Sequence, residues 1–242
     1  IMLSYILSQE KTFEDTIINH QSWYEQNNIT LHKSDKIISI NKNSKEITSQ
    51  NGKTQSYDKL LIATGSTAFI PKTAGSELGN VIAFRKKADV DTILGTINKE
   101  KTAVVVGGGL LGLEAAYGIA MHGIKTILVH RSGSILSQQL DTTGGKLLQK
   151  NLEKYGIEFK LNTTISEIIG SSKVENVQFS DGTTVESNLV IFATGIIPNT
   201  ALAVEANLET KKGIIVDDFL KTSDDSIFAI GECVEHDGNT YG

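Results

Sequence analysis

The sequence predicts an α/β protein of two related halves built on doubly wound sheets. Three observations predict it: a gapless internal repeat, a glycine turn between a strand and a helix, and 22 glycines beside only 2 prolines in 242 residues. The repeat pairs Ile47 to Gly65 (ITSQNGKTQSYDKLLIATG) with Val177 to Gly195 (VQFSDGTTVESNLVIFATG). Each copy opens with a β-rich run, turns at Asn51-Gly52 or Asp181-Gly182, and ends in an apolar strand running into Ala-Thr-Gly. The dipeptides are expected to supply the positive φ angles of a two-residue hairpin. An offset of about 130 residues implies two related half-molecules and not a solenoid. Counted back from Gly107, that offset falls before Ile1, so the first copy's own glycine turn is expected outside this sequence, which reads as a piece of something longer.

Between the tripeptides lies one coherent unit. Ala103 to Val106 reads as a strand, and Leu110 to His122 as a helix with Leu111, Ala115 and Ile119 on one side. Gly123 is placed to end that helix. Lys125 to Val129 is a second strand, parallel to the first across a right-handed crossover. Asp141 or Thr142 caps a further helix through Tyr155, which Gly156 stops, and Ile157 to Leu161 extends the sheet.

Composition excludes several classes. With 39% hydrophobic and 21% charged residues the chain can form a core, and a formal charge of -5 gives no basic surface for nucleic acid. The single cysteine, Cys233, excludes a disulfide scaffold, a cysteine-built zinc or iron-sulfur site and a redox pair within these residues, and points to a cytoplasmic setting. Ile1 to Glu10 lacks the pattern of a signal peptide. The apolar stretch Thr102 to Met121 contains three consecutive glycines and Glu114, so no membrane span is expected. His20, His32, His122 and His236 show no metal-ligand spacing, and no metal site is expected. Trp23 and Tyr24 are expected to pin a helix to the sheet.

The chemistry concentrates at Gly107, Gly109 and Gly112, which spell G-x-G-x-x-G directly after a strand and before a helix. The first glycine permits the tight turn, the second lets a pyrophosphate approach, and the third lets helix and strand pack closely. Gly108, Leu110 and Leu111 complete the turn and helix start, whose free amides are expected to face the phosphates. The competing reading is a turn that uses glycine for packing alone. At the end of the next strand, where an acid usually accepts hydrogen bonds from the NAD ribose, stand His130 and Arg131. Two donors in place of an acceptor favour the 2′-phosphate of NADPH over NADH, the alternative being a solvated strand end. Glu114, in the first turns of the helix, either answers the helix dipole or faces the nicotinamide end of the cofactor.

ATG at Ala63, Thr64 and Gly65, GGGLLGLE at Gly107 to Glu114, ATGIIPNT at Ala193 to Thr200 and IFAIGEC at Ile227 to Cys233 together resemble the FAD-dependent pyridine-nucleotide oxidoreductases. More narrowly, MLSYIL, YDKLLIATGS, SQQLD and the GEC ending are similar to the amino-terminal flavoprotein part of NAD(P)H-dependent nitrite reductase large subunits. The resemblance implies two Rossmann-like domains, with an NAD(P)-binding domain over 66–196 inserted in an FAD-binding domain made of 1–65 and 197–242, the latter lacking its first βαβ unit. It places Glu114 at the nicotinamide. It sets Gly195, with Ala193 and Thr194, against the nicotinamide nucleotide, and Gly231 and Glu232 at the FAD ribityl chain. Hydride would pass from NADH or NADPH to FAD with no side chain as acid or base. The electrons would go on to iron-sulfur and siroheme domains outside this sequence, reducing nitrite to ammonia. The alternatives are a rubredoxin- or ferredoxin-type reductase serving a separate electron carrier, and a non-enzymatic nucleotide-binding module. A homodimer is left open. Cys233, beside Glu232, is read as a small buried residue.

Overall fold

The computed structural model describes residues 2–97 and 101–240. The chain forms two compact units, Ile1–Ile18 with Ala68–Thr194, and Asn19–Thr67 with Gly195–Gly242. Among the described residues no helix is long and apolar enough to cross a membrane.

The first unit contains, in chain order, α1 (Met2–Leu7), β1 (Val81–Ala83), α2 (Lys87–Thr96), β2 (Thr102–Val106), α3 (Leu110–Ala120), β3 (Thr126–His130), α4 (Thr142–Glu153), β4 (Ile157–Leu161), β5 (Ile165–Ile169), β6 (Asn176–Phe179) and β7 (Thr184–Phe192). Its seven-stranded sheet runs β5-β6-β7-β2-β3-β4, with β1 also on β7. Strands β1, β7, β2, β3 and β4 are parallel, whereas β5 and β6 form an antiparallel meander onto β7. Alternation decides which residue serves which face. Ala103, Val105, Leu128, Leu189 and Ile191 are buried in one core, and Val104, Ile127, Val129, Val190 and Phe192 in the other. Strands buried on both faces read as continuous apolar runs, which is what TAVVV and LVIF are.

All four helices contribute to the first core, through Leu7, Val90, Ile93, Ala115, Ile119 and Leu148. The opposite face is covered by the meander, through Ile168, Val177 and Phe179. The helices thus cover one face of the parallel strands and the meander the other, where Val177 and Phe179, two positions apart on β6, turn to the same side. The expected helix and strand limits shift by a residue or two. Gly123 (φ 72°) donates to the Ala120 carbonyl at 2.8 Å, and the Asp141 carboxylate caps α4 by accepting the Gly144 amide at 2.7 Å.

The opening residues pack within the first unit. α1 lies on α3 because Gly118 offers no side chain: a Cβ there would come within 2.9 Å of Leu7 Cδ2. The Leu7 carbonyl is also held by His122 Nε2 at 2.6 Å.

In the second unit, Ile37–Asn41, Glu46–Ser49 and Thr54–Ser56 form an antiparallel sheet. Leu60–Ile62 and Ile227–Ala229 pair in parallel. Ile40, Ile62, Ala203, Ile214, Ile227 and Cys233 share its core, so Cys233 is buried. The helix Gln21–Gln26 buries none of its residues, and Trp23 packs edge-on against Tyr24 instead of pinning the helix to a sheet.

The two hairpins have the same turn. Ser49 N–H donates to the Lys53 carbonyl and Gly52 N–H to that of Ser49; Phe179 N–H donates to Thr183 and Gly182 N–H to Phe179. Gly52 (φ 76°) and Gly182 (φ 82°) are left-handed, and Asn51 and Asp181 are not. Each is thus a three-residue loop ending in a left-handed glycine, not the expected two-residue turn.

Candidate functional site

The glycine turn links the end of β2 to the start of α3, at the carboxyl edge of the parallel strands where α/β sheets bind ligands. Its three motif glycines have different surroundings. A Cβ on Gly107, whose φ is 123°, would lie 2.2 Å from the Ala193 carbonyl oxygen, and one on Gly112 would lie 2.0 Å from that of Gly107. Both positions are filled by backbone. A Cβ on Gly109 would meet nothing within 4 Å. Space over the middle glycine, with closed packing beneath the other two, is the cradle a pyrophosphate requires.

The amides divide in the same way. Gly107 N–H donates to the Val129 carbonyl at 2.9 Å, and Gly108 N–H to His130 Nδ1 at 3.0 Å. The Gly108 carbonyl accepts from Leu136 N–H at 2.9 Å. Gly107 and Gly108, expected to contact the nucleotide, therefore spend their amides inside the domain. Leu110 and Leu111 open the helix, where amides have no intrahelical acceptor and the dipole favours an anion.

The His130 ring accepts at Nδ1, which leaves Nε2 as its donor, and burial followed by the neighbouring Arg131 charge holds the ring below the ordinary histidine value. Arg131 is exposed at the end of β3. On α3, Glu114 Oε2 is shut off from solvent with no hydrogen-bond partner. A buried carboxylate oxygen left without a donor is costly unless a ligand supplies one.

The tripeptides end strands in both units. In the first, Ala193 N–H donates to the Val106 carbonyl and Thr194 Oγ1 to that of Phe69. In the second, Thr64 Oγ1 donates to the Asn199 carbonyl, while Asn199 Nδ2 donates to that of Thr64. Asn199 also accepts from Thr67 Oγ1, and its N–H reaches the Gly65 carbonyl. Sequence reading missed Asn199; its place in ATGIIPNT was the available signal. Ala63 is exposed directly after Leu60–Ile62. Gly65 (φ 62°), Gly195 (φ 120°) and Gly231 (φ 79°) are left-handed, with open space where a Cβ would stand. Ser66 Oγ donates to Glu232 Oε2 at 3.0 Å. A cavity of about 360 Å3 is lined by Asp217, Leu220, Ile230, Gly231, Val234 and His236. Asp218, which also lines it, His236 and Asp237 bring ligand atoms within 4.8 Å of one another, a grouping that spacing along the chain did not reveal.

These residues fit the implied cofactors: the turn, with Glu114, suits a nicotinamide dinucleotide, and the open glycines beside Glu232 suit the ribityl side of a flavin. The sheet and the glycine turn define a dinucleotide-binding α/β protein. The pyridine nucleotide-disulphide oxidoreductase family matches residues 1–241, and the chain belongs to that family. It is 41% identical over all of its 242 residues to nitrite reductase [NAD(P)H] of Bacillus subtilis (strain 168), covering 30% of that protein. It is 34% identical to rubredoxin-NAD(+) reductase of Ectopseudomonas oleovorans, over 88% of this chain and 56% of that one. Among solved structures, the covalent putidaredoxin reductase-putidaredoxin complex superposes with a TM-score of 0.90 at 26% identity, over 97% of this chain and 58% of the other. The chain thus spans about a third of the length of the nitrite reductase and nitrate reductase relatives it matches.

Proposed function

We propose that this chain is the nicotinamide-docking part of an electron-input flavoprotein, within which Ser66 to Ile196 is the NAD(P) domain and the flanking segments serve FAD. The observation that carries this is the pairing, on α3, of an open pyrophosphate cradle at Gly109 with a buried, unpartnered Glu114 carboxylate oxygen. When bound, the nicotinamide nucleotide would supply a hydride and the flavin would be its acceptor. The chain's own groups bind and orient: Gly109, Leu110 and Leu111 take the diphosphate, and Glu114 accepts a hydrogen bond at the nicotinamide end. Arg131 meets the 2′-phosphate of NADPH, while Gly65, Gly231 and Glu232 line the flavin side. No proton need move at a side chain.

The destination we infer for the electrons is nitrite, through metal centres in further domains. Whole-length identity to a nitrite reductase, higher than to any other relative described above, supports it. A second reading, delivery to a rubredoxin- or ferredoxin-type carrier, is favoured by the rubredoxin reductase relative and the putidaredoxin reductase fold. Purified protein reconstituted with FAD should turn yellow and oxidise NAD(P)H with a dye acceptor. The longer protein containing this chain should then reduce nitrite; electron transfer to rubredoxin with none to nitrite selects the second reading. Nucleotide binding without any flavin or turnover would remove both.

A further inference from the structure

The ring of His130 connects two parts of the nucleotide site. It stands at the end of β3, accepts the Gly108 amide at Nδ1 (3.0 Å), and lies so close to that glycine that a Cβ there would be 2.7 Å from the ring. From the connection that follows β3, Leu136 N–H holds the Gly108 carbonyl at 2.9 Å. Both polar groups of Gly108 are therefore fixed by the β3–α4 segment, one residue before the open cradle. We propose that His130 is a positioning residue for the nucleotide: its neutral ring, accepting at Nδ1, pins Gly108 and so sets the amides of Gly109 to Leu111, and loss of that acceptor weakens nucleotide binding. The role rests on the nucleotide reading of the glycine turn.

An imidazole accepts at Nδ1 only when the proton sits on Nε2, and a protonated ring accepts nowhere. The bond thus exists in one charge state and one tautomer. Arg131, beside it on the strand, is the charged group acting on the ring. Across β4 the residue in register is Leu161, and Gly108 and Leu136 carry no charge. Acid should therefore release the turn.

The test is NADH affinity of the chain, followed by fluorescence from about pH 5.5 to 8. NADH is chosen because the 2′-phosphate of NADPH titrates in the same range. Wild type should bind evenly above the ordinary histidine value of 6.5 and weaken several-fold below it. His130→Leu should bind about tenfold more weakly and lose the acid limb. His130→Asn, whose Oδ1 can accept in place of Nδ1 but does not titrate, should restore binding and remain flat. An acid limb retained in His130→Asn overturns the proposal, as does wild-type affinity in His130→Leu; if the leucine variant does not fold, the asparagine profile decides. Nitrogen NMR of the ligand-free chain separates the two readings. A chain that binds NADH while Nδ1 carries the proton at neutral pH overturns the His130 role alone. A wild-type chain that binds no NADH at any pH overturns the site and this role together.

Discussion

Thr64 and Thr194, the threonines of the two tripeptides, make reciprocal bonds: Thr64 Oγ1 donates to the carbonyl of Asn199 and Thr194 Oγ1 to that of Phe69, each at 2.7 Å. Asn199 and Phe69 stand at equivalent places beyond the opposite tripeptides. The repeat in sequence is therefore also a repeat in hydrogen bonding, carried by residues at corresponding positions in each half. Asn199 adds a side-chain clamp on Thr64 and Thr67 that Phe69 cannot copy. Asn199→Ala should cost about 1 kcal/mol, seen as a lower melting temperature. An unchanged melting temperature would show that solvent replaces the clamp.

The glycines of the turn should separate binding from folding. At Gly109 the backbone is extended (φ -83°) and the Cβ position is open, so Gly109→Val should fold normally and lose NAD(P)H binding. Gly112→Ala drives a methyl group onto the Gly107 carbonyl and should destabilise the domain by about 1–3 kcal/mol. Thermal melts and nucleotide titrations of both variants check the division; retained wild-type affinity in Gly109→Val would contradict the cradle.

Arg131 tests cofactor preference. In the proposed function, the exposed Arg131 at the end of β3 meets the 2′-phosphate of NADPH. Arg131→Ala should weaken NADPH about tenfold or more and leave NADH nearly unchanged. Equal losses for both nucleotides would remove the phosphate contact.

Glu114 predicts a conflict between stability and function. Its Oε2 is buried without a donor, so Glu114→Met should raise the stability of the ligand-free chain by about 1 kcal/mol while slowing NAD(P)H oxidation. A lower melting temperature would mean that the carboxylate is satisfied in the free protein.

The hairpin at Asp181 gives a pH dependence. The Thr183 hydroxyl, Lys160 and the Thr183 amide hold the Asp181 carboxyl well below its usual range. An acid depressed in the folded state contributes stability above its unfolded value of 3.8, and that contribution is lost as pH falls toward the folded value. Asp181→Asn should flatten the acid limb of a denaturation series below pH 3.8. An unchanged limb would assign it to other carboxylates.

The repeat, the strand-turn-helix around Gly107 and the two Ala-Thr-Gly strand ends were legible in the sequence because each rests on local rules: period, capping and the glycines a turn demands. Asp141 as a cap and Gly123 as a stop belong to the same class, since their partners lie within a few residues. What tertiary structure decided were contacts between residues remote in sequence. These include the meander on the second sheet face, Leu7 on Gly118, the Asn199 clamp, and the direction of the His130 ring. Residue type alone read His130 as a donor to the cofactor; Gly108, 22 positions away, adds an accepting role at Nδ1 toward the turn. A side chain with two nitrogens has its role set by what surrounds it, and those surroundings exist only once the strands are brought together.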